Sequence, residues 1–169
     1  SARPVQSAGR TRGTATFSIV GDLAAAALNN NMLSHDMSAA LSHLEPALCR
    51  AFARRFGLGA RSGGVLVSGG TLANLEALTV ARNARVAGAR EEGVAGRARR
   101  PVLFASELAH NSIEKAAMIL GLGTRGYIPV RADERGKMDA AALREAIRAA
   151  RDSGAEPFAA VATAGTTTT

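Results

Sequence analysis

GVLVSGGTLANLEALTVARN, residues 64–83, reads as three elements in succession. Gly64, Val65, Leu66 and Val67 form a short apolar run. Ser68-Gly69-Gly70-Thr71 is a turn, and the apolar periodicity that follows is helical. Glycines without a Cβ let the backbone take positive φ and come close to a ligand. A helix starting near Thr71 leaves its first amides unpaired, at the positive end of the helix dipole. A phosphate fits such a place, with the Ser68 and Thr71 hydroxyls as further donors. The same four residues also suit a plain strand-to-helix turn capped by Thr71, and taken alone they leave both readings open.

Two nucleotide motifs fit this turn less well. A P-loop needs Lys then Ser or Thr after its last glycine, and here Thr71 and Leu72 follow Gly70. A dinucleotide fingerprint needs its glycines after the strand, but the nearest approach, GLGARSGG, precedes it.

Outward from the turn, apolar runs alternate with helical periodicity. Residues 1–15 read as an arm. A helix is expected from Asp22 through DLAAAALNNNM, ended by the asparagine run. SAALSHLEPALCRAFARRFGLG is the next helix, with Leu44, Leu48, Phe52 and Phe56 on one face. Pro46 predicts a helix start or kink near Glu45, and Gly57 and Gly59 close the segment. Cys49 is expected on or beside the apolar face. GVLVS is expected as a first strand and TLANLEALTVARNARV as a helix. EEGVAGRARR is a loop, and PVLFAS a second strand. HNSIEKAAMILG is helical with Ile113, Ala117 and Leu120 on one face, and GYIPV is a third strand. RADERGK is a turn; Asp139 is placed to cap DAAALREAIRAARDSG, which Gly154 ends. FAAVATAG is a fourth strand. Strands alternating with amphipathic helices give an α/β fold with a mostly parallel sheet. The expected division is an arm and helical segment over residues 1–60 and an α/β part over 61–169.

The 169 residues are enough for a domain with a real core, and a hydrophobic content of 47% with mean hydropathy +0.04 marks a globular chain. No apolar run approaches the ~20 residues that span a bilayer. SARPVQSAGRTRG lacks the apolar stretch of a signal peptide, and the single Cys49 permits no internal disulfide, so a cytoplasmic location is expected. The net charge of +7 raises the question of nucleic acid. Arginine is spread along the chain, with one cluster at Arg97, Arg99 and Arg100, and aromatics are only 4%, which leaves little to stack on bases. A solubilising surface is the better reading, and no nucleic-acid or membrane partner is expected.

In parallel sheets, ligands gather at the carboxyl ends of strands. His110 follows the second expected strand and the ATAGTTTT hydroxyls follow the fourth, at the same edge as SGGT. Phosphate cup, imidazole and hydroxyls are thus expected to converge on one crevice.

GVLVSGGTLANLEALTVARN, HNSIEKAAMILG and ATAGTT, in this order, resemble the group II pyridoxal-5′-phosphate-dependent amino-acid decarboxylases, of the aspartate-aminotransferase-like fold (fold type I). The resemblance covers residues 20–169. It implies that Gly70 and Thr71 hold the cofactor phosphate and that His110 stacks on the pyridine ring and helps position substrate. It places Thr167 against the cofactor, with Thr163 near it, and implies no metal ligands. Lys115 corresponds to an ordinary helical lysine and is read as structural or solvent-exposed. It further implies a homodimer with interfacial active sites, in which LNNNMLSHDMSAALSHLE wraps the partner; His35 and His43 there are read as surface residues.

In the family, the aspartate that pairs with the pyridine nitrogen and the lysine that holds the cofactor covalently come later. The two lysines here, Lys115 and Lys137, match neither context. The chain is therefore expected to be the front part of a larger protein, inactive alone. A fold-type-I aminotransferase or lyase, and a non-catalytic fragment that needs a second chain, are the alternatives. Acidic and aromatic amino-acid substrates are not distinguished.

Overall fold

A computed structural model describes residues 15–30, 34 and 36–165. The chain forms two compact units that meet in sequence at Val67 and Ser68.

In the first unit, helix α1 (Thr16–Leu28) starts six residues before the expected Asp22, and Gly21 lies inside it. The apolar Phe17, Ile19 and Val20 extend the helical pattern backwards, and one interior glycine costs only about 1 kcal/mol. Asn29 ends the helix in the left-handed conformation at φ 41°, as the asparagine run predicts. Helix α2 (Ala39–Arg55) runs through Pro46 rather than starting there. The expected face is not the buried one: Leu44, Leu48, Phe52 and Phe56 are exposed, whereas Cys49 and Ala53 are buried. The segment after α2 folds back on this neighbouring stripe. Leu58 N–H donates to the Ala53 carbonyl at 2.9 Å, and a Cβ at Gly64 would stand 3.3 Å from the Cys49 Cβ.

Residues 62–67 contain no strand, which corrects the reading of GVLVS. Val65 and Leu66 are exposed, and the Leu66 amide is bonded at 2.7 Å to the Glu45 carboxylate rather than to a neighbouring strand. An apolar run becomes a strand only when a partner ladder takes up its backbone.

The second unit opens with α3 (Gly70–Arg85). A loop leads to β1 (Pro101–Ser106), followed by α4 (Ser112–Ile119), β2 (Tyr127–Val130), α5 (Ala140–Asp152) and β3 (Glu156–Val161). The sheet therefore has three described strands, in the order β2-β1-β3, and both pairings are parallel. Every residue of β1 is buried, the pattern of a strand covered on both faces. Leu103 and Ala105 pack with Leu78 of α3 and Ile113, Ala116 and Ala117 of α4. Val102 and Phe104 pack on the other face with Val130, Ala150 and the inner residues of α5. The result is helix, sheet, helix in three layers.

Two details close these layers. Gly126 is at the end of a single 3-10 turn (Thr124–Gly126), where a Cβ would lie 2.5 Å from that of Leu122, so only glycine lets the chain enter β2 there. Asp139 caps α5, accepting from the Ala141 and Ala142 amides at 2.8 and 3.1 Å, as expected from the sequence. Part of the arginine cluster is structural rather than solubilising: Arg97 reaches Glu156 at 3.9 Å, and Arg99 donates to the Ala155 carbonyl at 3.3 Å.

Two outcomes follow for stability. Leu103→Ala, at the fully buried centre of β1, lowers unfolding free energy in urea by about 3 kcal/mol, within the usual range for buried leucines. For Asp139, the α5 amides first, and Arg131 after them, hold the carboxyl below its ordinary range. Its contribution is present above the ordinary carboxylate pKa and is lost as pH falls through the depressed value. Asp139→Ala therefore lowers the thermal midpoint at pH 7, and the difference from the parent chain shrinks on acidification.

Candidate active site

The SGGT turn and the start of α4 form the first part of the site. Gly69, at φ 159° and ψ 165°, occupies backbone space open almost only to glycine. It is the cap residue of α3, and no side chain caps the helix. Thr71 is therefore in the first turn rather than at the cap, and the leading amides of α3 stay available to an outside acceptor. A Cβ added at Gly69 or Gly70 would meet nothing within 4 Å. A cavity of about 330 Å³ opens there, lined by Ser68 to Leu72, Leu75 and, from α4, Lys115, Ala116 and Ile119. Lys115 is exposed, as expected, and it also lines this cavity. The donors here are amides and a threonine hydroxyl, and the two glycines leave open space. Such a set fits a phosphate group.

His110 follows β1 at the carboxyl edge of the sheet and lies just before α4, which begins at Ser112 rather than at His110. Ser112 is 1% exposed. Its hydroxyl is 2.9 Å from His110 Nδ1, and its amide donates to the same nitrogen at 3.2 Å. Asn74 Nδ2, one turn into α3, donates to the Ser112 hydroxyl at 2.9 Å. The first turns of α3 and the imidazole are thus joined through two residues that sequence reasoning missed. The available signal was the serine two residues after the histidine, at a helix start.

Thr163 follows β3, whose parallel pairing with β1 puts it at the same sheet edge as His110. It lines a separate cavity of about 910 Å³ with Leu108, the 133–138 loop and Ala162 to Gly165. The SGGT turn and Thr163 thus line different cavities, and His110 is in the lining of neither. Thr167 and His35 lie outside the described residues, while His43 lies on α2 in the other unit. Close by, the Tyr127 hydroxyl donates to the Ser106 carbonyl at 3.4 Å. Burial, and then the negative charge of Glu114, raise its pKa, so the phenol stays a neutral donor.

Residues 7–169 match the pyridoxal-dependent decarboxylase conserved domain. The chain belongs to this family. It is 34% identical over 158 residues to the L-aspartate decarboxylase dtxS4 of Metarhizium robertsii, covering 93% of this chain and 31% of that protein. It is 35% identical over 151 residues to human cysteine sulfinic acid decarboxylase, covering 88% of this chain and 30% of the relative. Among solved structures, mouse CSAD superposes with a TM-score of 0.83 at 30% identity, over 91% of this chain and 32% of that one. Rice TDC with pyridoxal phosphate and tryptamine superposes with a TM-score of 0.77 at 28% identity, over 90% and 33%. The chain thus spans about a third of the length of these relatives. The architecture is that of the fold-type-I pyridoxal-phosphate decarboxylases, and pyridoxal phosphate is the family's cofactor.

The two glycines of the turn separate by substitution. Gly69→Ala forces alanine into glycine-only backbone space and lowers stability by about 1–3 kcal/mol. Gly70→Ala, helical and facing open space, shifts it by no more than about 0.5 kcal/mol. Urea unfolding of both variants measures the difference; equal costs would contradict the assignment of the turn to Gly69.

Proposed function

We propose that this chain supplies the phosphate- and ring-binding part of a pyridoxal-phosphate-dependent decarboxylase acting on an acidic L-amino acid. The uncapped start of α3, opening on a cavity with Lys115, is the observation that carries the reading. Gly70 and Thr71 hold the cofactor phosphate through backbone amides and the threonine hydroxyl. His110 lies over the pyridine ring and positions the substrate carboxylate, while Thr163 and Thr167 approach from the sheet side. Residues 61–169 are the first part of the cofactor-binding domain, and residues 1–60 the arm and helices before it.

When bound, the cofactor supplies an electron sink for the carbanion left by loss of carbon dioxide. The chain's own task is placement. Amide donors fixed by a helix cost no reorganisation when they meet a phosphate. The acidic substrate class is supported by relatives whose names give aspartate, acidic amino acids and cysteine sulfinic acid. A homodimer is supported by the exposed Phe17, Ile19, Val20 and Leu23 of α1, apolar area of the kind subunit interfaces cover.

The test uses the polypeptide that carries these residues, loaded with pyridoxal phosphate. It releases carbon dioxide from L-aspartate, L-glutamate or L-cysteine sulfinate, and Thr71→Ala weakens cofactor binding about tenfold, the worth of one hydrogen bond to a charged group. Release from L-tryptophan with none from the three acids contradicts the substrate class. No release from any of them contradicts the function.

A further inference from the structure

The tautomer of His110 is set by its neighbours. A backbone N–H can only donate, and that of Ser112 meets His110 Nδ1 at 3.2 Å. Nδ1 must therefore present its lone pair, and the single proton of the neutral ring belongs on Nε2. The Ser112 hydroxyl, 2.9 Å from the same nitrogen, has one proton to give. Its oxygen already accepts from Asn74 Nδ2 at 2.9 Å, which leaves the hydroxyl proton free to turn toward Nδ1. The donor chain thus runs in one direction, from Asn74 to Ser112 to His110. Ser112 is 1% exposed, so water does not compete for its hydroxyl.

We infer that Ser112, braced by Asn74, is a positioning residue that holds His110 as the Nε2–H tautomer. His110 then presents its Nε2–H as a hydrogen-bond donor on a fixed ring. A proton on Nδ1 would displace the Ser112 amide, which can only donate. Its partner on the Nε2 side is an acceptor, of which a substrate carboxylate is the fitting class. The inference rests on the cofactor-site reading for what His110 faces, but the tautomer itself rests only on the three hydrogen bonds.

The tautomer is read by long-range proton–nitrogen NMR of the polypeptide that carries these residues, labelled at histidine, with His110→Gln identifying the His110 signals. In the parent chain, Nδ1 of His110 shows the shift of an unprotonated nitrogen and Nε2 that of a protonated one. Ser112→Ala removes the hydroxyl donor but keeps the amide, so the share of the Nδ1–H form rises while Nε2–H remains the main one, and Ser112→Thr, which keeps the hydroxyl, restores the parent spectrum. A merely structural role for Ser112 would leave the nitrogen shifts unmoved. A protonated Nδ1 in the parent chain overturns the inference whatever the variants do, as does an unchanged spectrum in a folded Ser112→Ala chain. Pyridoxal-phosphate absorbance of the same samples separates the two claims. The predicted tautomer without cofactor binding overturns the cofactor reading and upholds the role of Ser112.

Discussion

Burial of β1 on both faces constrains everything else in the second unit. Six consecutive residues, Pro101 to Ser106, lose their solvent. Leu103 and Ala105 must be covered from one side and Val102 and Phe104 from the other. Helices α3 and α4 take the first face and α5 the second. Parallel pairing of β2 and β3 to this strand then puts the segments after β1 and β3 at a common edge. His110 and Thr163 owe their placement to that arrangement. The chemistry of the site is built on a strand that takes no part in it.

The same layer supplies the link between helices. Packing of Leu78 against Ile113 and Ala117 sets α3 beside α4, which brings Asn74 within 2.9 Å of Ser112. Apolar contact fixes the distance, and hydrogen bonds then fix the direction of the imidazole. Buried polar pairs of this kind are favourable only when every member is satisfied. Here the buried member is Ser112, whose hydroxyl and amide are both engaged, by Asn74 Nδ2 and His110 Nδ1.

The residues differ in how much of this they disclose by sequence alone. PVLFAS was legible because a strand buried on both faces reads as a continuous apolar run. GVLVS has the same appearance and is not a strand, since pairing depends on a partner that pattern does not contain. The stripe of Leu44, Leu48, Phe52 and Phe56 was legible as a face but not as an exposed one; Cys49 and Ala53, one step round the helix, are the residues covered by the returning chain. The cap at Asp139 was legible because it is local. The bond from Asn74 to Ser112 joins residues 38 apart, and only tertiary packing reveals it. For the site, glycine content pointed to the turn, yet which glycine carries the unusual backbone, and that Lys115 reaches the cavity, needed coordinates.

The central claim is that the start of α3 is a phosphate cup. It is tested most directly by calorimetric titration of the polypeptide carrying this chain with pyridoxal phosphate and, separately, with pyridoxal, which differs only in lacking the phosphate. The account predicts that the phosphate ester binds at least about tenfold more tightly, the contribution of one or more hydrogen bonds to a charged group. Equal affinity for the two compounds would contradict it.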